Sequence, residues 1–87
     1  MITVKDAAKI ALGYVTDLIG SENVLEPLIE EVDQSDDGQY WLVTVGFDRP
    51  LGTGARQFRL RSERRDYKQV RIQMADGQVR SMRMRTV

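Results

Sequence analysis

The chain has no cysteine and no histidine among its 87 residues. Without cysteine there is neither a disulfide staple nor a thiolate, which excludes thiol catalysis and gives no sign of an oxidising compartment. With histidine missing as well, the usual zinc ligand sets, the Ser-His-Asp triad and the Cys–base pair cannot be assembled within one chain. No apolar run approaches the ~18 residues that a membrane span needs. The opening "MITVKDAAKI" has no basic stretch followed by an apolar one, so it does not read as a secretory leader. The expected location is the cytoplasm.

What is present is the composition of a folded domain, 41% hydrophobic and 30% charged. The length fits a single domain over residues 1–87, with a core small enough that each large apolar side chain counts. The net charge of zero hides an imbalance. Residues 1–55 carry ten acidic side chains against three basic ones, and residues 56–87 carry the reverse. An asymmetry of this kind points to an anionic partner, unless the two halves neutralise each other within the fold.

Residues 3–19, "TVKDAAKIALGYVTDLI", predict an amphipathic helix. Val4, Ala7, Ala8, Ala11, Val15, Leu18 and Ile19 form one apolar stripe at 100° per residue. Thr3 is placed to cap its start and Asp6 to favour its positive end, while Gly20 is placed to stop it in a left-handed cap. A turn at "GSEN" leads to a short strand from Leu28 to Asp33, and Pro27 indicates that this strand lies at an edge or begins there. "QSDDGQ" then supplies a turn. In the strand "YWLVTVGFD" that follows, Trp41, Val43, Val45 and Phe47 alternate with Tyr40, Leu42 and Thr44. "YKQVRIQMA" alternates again, with Val70, Ile72 and Met74 on one side. "DGQ" at 76–78 signals a hairpin. In "VRSMRMRTV" Met82 and Met84 oppose Arg83 and Arg85, and Val79 falls out of step, which places a bulge near Arg80 or Ser81.

The economical fold is α+β: one N-terminal helix packed on one face of a four-stranded antiparallel β-meander. Its core would join the helix stripe to the inward residues from Trp41 to Met84. The leading "T-x-x-x-A-x-x-x-A", the "DGxYWLVTV" strand and the final "ADGQVRSM" resemble the PepSY-type domain, through Thr3, Ala7, Ala11, Gly38, Tyr40, Val43, Val45, Asp76, Gly77 and Val79. The resemblance implies a helix before a small antiparallel sheet and a role in binding or inhibiting peptidases, or as an interaction module, with no agreed catalytic residue. Such domains usually lie outside the cytoplasm behind a leader and have a shorter central connection, and this sequence departs from them in both respects.

The remaining chemistries are weak. In "DQSDDG", Asp33, Ser35, Asp37 and Gly38 match the start of a calcium loop, but its twelfth place is Thr44 rather than Glu, so a solvated hairpin turn is expected. Glu30 and Glu31 are neighbours on a strand and are expected to point to opposite faces, so they cannot share a substrate. "GTGAR" is followed by the strand-like "QFRLR" and not by a helix start, and nucleotide-binding spacings are absent. No catalytic, metal or cofactor-binding residue is assigned, no cofactor is expected, and the reading is non-enzymatic.

What remains is the basic surface. The long connection between the second and third strands carries Arg56, Arg59, Arg61, Arg64 and Arg65, with Phe58 and Leu60 interleaved. The sheet face turned away from the helix adds Tyr67, Arg71, Arg83 and Arg85. Together these are the expected partner-binding residues: a cationic arm, anchored by Phe58 and Leu60, beside an arginine-bearing face. Arginine with aromatics suits an acidic protein surface, that of a second copy included. It also suits single-stranded nucleic acid, the alternative reading.

Overall fold

The fold starts where Thr3 can close a helix end. Its Oγ1 accepts the Asp6 N–H at 3.1 Å, and Asp6 Oδ2 accepts the Thr3 N–H at 3.1 Å. This reciprocal cap opens α1, Val4–Ile19. At the other end Gly20 donates its N–H to Thr16 O, but at φ 105° and ψ 126° it lies outside the left-handed helical region expected of it. The computed structural model describes residues 1–50 and 65–85. After a single 3₁₀ turn, Ser21–Asn23, come the strands β1 (Leu25–Gln34), β2 (Tyr40–Asp48), β3 (Arg65–Gln73) and β4 (Val79–Met84). They form one antiparallel sheet in the order β1-β2-β3-β4, with α1 packed on β2, β1 and β3. The α+β meander read from the sequence is the observed architecture.

The elements differ from expectation in two places and agree with it in a third. β1 begins at Leu25 and takes in Pro27, which falls in a register irregularity between the Leu25–Asp48 and Leu28–Gly46 pairs. An edge strand tolerates a missing N–H at such a point. β3 begins at Arg65, so one arginine of the basic connection belongs to the sheet. The bulge expected near the start of β4 is present: Val79 pairs with Ile72 and Ser81 with Arg71, leaving Arg80 as the extra residue.

Only the line Ala7–Ala11–Val15 of the helix is fully buried. The two alanines let the helix backbone come close to the sheet, and the stripe's ends overhang it, so Val4 and Leu18 are exposed. On the sheet, Val43, Val45, Phe47, Val70 and Ile72 are fully buried against them, while Trp41 and Met82 are partly buried. Met84, expected in the core, is 75% exposed, because α1 rests on the first three strands and the far end of β4 lies beyond it. Among the described residues no helix is long and apolar enough to cross a membrane.

The burial pattern ranks the core residues. Phe47→Ala should cost about 3–5 kcal/mol in urea unfolding, whereas Met84→Ala should stay within about 0.5 kcal/mol of the parent. A large loss at Met84 would show that the helix covers β4.

Candidate functional site

The sheet face away from α1 is built from alternate residues of four strands. From β2 it takes Tyr40, Leu42, Thr44 and Gly46, and from β3 Arg65, Tyr67, Gln69 and Arg71. Ser81, Arg83 and Arg85 come from β4 or its end. The sequence predicts an open cationic surface here. The structure divides it into two parts.

In the first part the arginines are engaged by the chain's own carboxylates. Arg65 Nη1 donates to Asp48 Oδ1 at 2.8 Å, and its Nη2 reaches Gly46 O at 3.0 Å, Glu26 O at 3.1 Å and Glu30 Oε2 at 3.4 Å. One guanidinium thereby ties β1, β2 and β3 together. It also holds the irregular turn of β1, where Glu26 has a positive φ of 49°. Burial is the largest single influence and opposes its charge. The hydrogen bond and charge of Asp48, followed by those of Glu30, outweigh it and hold the Arg65 pKa above the ordinary arginine value. Beside it Arg49 pairs with Asp66 at 2.7 Å, so the two ends of the basic connection are cross-tied by paired charges.

Glu30 and Glu31 do not point to opposite faces. Ile29 pairs with Val45 and Glu31 with Thr44, so Glu30 is a bulged extra residue and both carboxylates turn to this face. Glu30 goes to Arg65, and Glu31 meets Arg85 at 3.1 Å. The strand bonding that would make them alternate is interrupted at Glu30. Gly46 makes room for the closure: a Cβ there would come within 2.6 Å of Glu30 Oε2 and 3.0 Å of Tyr67 Cε1. Thr44, on the same face, is 3% exposed. This part of the face is therefore closed by its own side chains, with Arg65 and Arg85 serving as internal ties.

The second part is a cleft of about 480 Å³ at the β1–β2 hairpin end. One wall is acidic, with Asp33, Asp36 and Asp37. The other carries Arg71 from β3 and Arg83 from β4, with Gln69 and Ser81 beside them. Leu42 lies between the walls as the apolar contribution of β2. Arg71 is stacked 4.1 Å from the Tyr40 ring centroid, and its buried Nε has no hydrogen-bond acceptor. Among the described residues neither Arg71 nor Arg83 makes an ion pair.

The aspartates are not equivalent. Asp37 Oδ1 accepts the Ser35 hydroxyl at 2.6 Å and the Gln39 N–H at 3.0 Å, while Ser35 Oγ accepts the Tyr40 N–H at 3.0 Å. The Ser35 hydroxyl first, and the Gln39 N–H second, hold the Asp37 pKa below the ordinary aspartate value. The turn therefore uses Asp37 itself, as expected of a hairpin. Among the described residues no three His, Cys, Asp or Glu side chains converge as a metal site.

No protein-family model, no curated protein and no solved structure matches this chain. The site is read from its own residues. Of those singled out in the sequence, the structure brings Arg71 and Arg83 to the cleft and commits Arg65 and Arg85 elsewhere. Tyr67 is half-buried beside Gly46. Arg56, Phe58, Arg59, Leu60, Arg61 and Arg64 lie outside the described residues. The sequence reading missed Asp33, Asp36, Gln69 and Ser81 as cleft residues. The signal was available in the pairing Asp33–Leu42, which follows once the hairpin register is known.

Two measurements follow. Arg65→Ala should lower stability by about 1–3 kcal/mol, because it strands Asp48 and Glu30, while Arg83→Ala should change it by no more than about 0.5 kcal/mol. Equal small losses in urea unfolding would mean that the Arg65 ties do not hold the sheet. Asp37 should contribute fully to the turn above its unfolded value of 3.8 and lose that contribution as pH falls through the lower folded value. The Gln39 and Tyr40 amide resonances should report this acid transition, and Asp37→Asn should remove it.

Proposed function

We propose that the chain is a non-enzymatic docking module that seats an acidic protein partner in the cleft of the sheet face. The supporting observation is selective ion pairing. Where acidic and basic residues meet on this face they join directly, as in Arg65–Asp48 and Arg85–Glu31, yet Arg71 and Arg83 have no carboxylate partner among the described residues. Stacking on Tyr40 holds the Arg71 guanidinium in place beside the cleft, where its terminal nitrogens can meet a ligand carboxylate.

The same geometry favours a protein over single-stranded nucleic acid. A continuous polyphosphate laid along Arg71 and Arg83 would run beside Asp33, Asp36 and Asp37, where like charges repel it. A protein segment can place one carboxylate between the arginines and keep its other groups away from that wall. The PepSY-like pattern agrees with a binding or inhibitory module.

The test uses a blocked peptide carrying a single glutamate and an oligo-thymidylate, each titrated onto the full chain while amide resonances are followed. The peptide should shift Gln69 and Ser81, weaken with added salt, and lose about tenfold or more in affinity in Arg71→Gln/Arg83→Gln, with the thermal midpoint nearly unchanged. Tighter binding of the oligonucleotide at the same residues would favour the nucleic-acid reading. Absence of any shift at the cleft with either probe would remove the docking function.

A further inference from the structure

Resting on that docking reading, we infer that the cleft selects a peptide segment carrying neighbouring side chains of opposite charge. The acidic side chain lies on Arg71 and Arg83, and the basic one on Asp33 and Asp36.

The argument begins with how the fold treats charge elsewhere. Arg49–Asp66, Arg65–Asp48 and Arg85–Glu31 close to 2.7, 2.8 and 3.1 Å. The partners stand on the same strand pair or reach across the curled sheet, so the contact is direct. In the cleft the hairpin wall and the β3–β4 wall also carry opposite charges, but no ion pair crosses between them among the described residues. Apart from the attraction of Arg71 for Asp37, the two walls of opposite sign leave a field across the gap, and a ligand dipole aligned with that field is stabilised at both ends.

The individual groups define which end does what. Asp37 uses its Oδ1 for Ser35 and Gln39 and its charge is already met in part by Arg71, so its main role is to stiffen the turn. Asp33 has one oxygen engaged by the Gln34 N–H, and Asp36 makes no hydrogen bond or ion pair among the described residues. These two remain for a cation. On the opposite wall the Arg71 plane is fixed by Tyr40, and the exposed Arg83 side chain can move to it, so a carboxylate can be held from two sides. Leu42 offers an apolar surface between them for the methylene stems of Glu and Lys side chains.

An all-acidic segment gains at the arginines and is repelled at the aspartates. An all-basic one meets the reverse. A mixed segment gains at both walls. The volume of about 480 Å³ falls within the range that holds a small ligand.

The experiment titrates the full chain with three acetylated and amidated tetrapeptides, Gly-Glu-Lys-Gly, Gly-Glu-Glu-Gly and Gly-Lys-Lys-Gly, and with free glutamate and free lysine. Amide shifts of Leu42, Gln69 and Ser81 give the affinities. The mixed peptide should bind about five- to tenfold tighter than either single-sign peptide. In Asp36→Lys that order should invert, with the Glu-Glu peptide becoming the tightest. Equal or tighter binding of Gly-Glu-Glu-Gly to the unaltered chain would overturn the mixed-charge selection while leaving an acidic partner in place. Equally tight binding of free glutamate or lysine would overturn the peptide class. No response to any acidic or mixed peptide would overturn this inference and the docking reading together.

Discussion

The chain carries its negative and positive charge in separate halves, and the sheet brings those halves together. Arg65 is the centre of this closure. From the start of β3 its guanidinium reaches a carboxylate on β2, a carboxylate on β1 and two backbone carbonyls. Two oppositely charged halves that found no partner inside the fold would leave a small domain open to indiscriminate association. Their pairing neutralises part of that charge, at Arg65 with Asp48 and Glu30 in a partly buried setting. It also fixes an irregular edge strand that contains Pro27 and a positive-φ Glu26 and cannot rely on a continuous ladder.

The functional reading depends on where that pairing stops. Glu30 and Glu31 reach the arginines because a bulge turns both to one face, and Gly46 leaves space for the closure. Further along the same face the aspartates sit on a hairpin whose shape is held by Ser35 and Asp37, and among the described residues that wall makes no ion pair with Arg71 or Arg83. The surface is thus a closed, self-neutralised region grading into a polarised cleft. The two regions draw on the same residue types, and only geometry separates a structural arginine from an available one.

Much of the fold was legible along the chain. The line Ala7–Ala11–Val15, the Thr3 cap, the period-two run from Trp41 to Phe47 and the misfit at Val79 all reflect local rules of helix and strand, and each found its place. Errors arose where a residue's role depends on another element. Leu18 and Met84 fit their stripes, yet the extent of the helix–sheet contact leaves them exposed. The alternation assumed for Glu30 and Glu31 failed because a bulge depends on the pairing of β1 with β2, which a single strand's pattern does not contain.

The sequence by itself determined the class of the protein: one helix, four strands in an antiparallel meander, no thiol or imidazole chemistry, and a strong separation of charge. Periodicity, capping and composition act over a few residues, so the linear chain carries them. Tertiary structure alone decided which arginines are ties and which line a cleft, and which carboxylates oppose them. Those assignments join residues such as Glu31 and Arg85, or Asp33 and Arg71, that are far apart in sequence. Electrostatic partnership depends on distance across strands and on bulges that redirect side chains, and neither is written in the local pattern.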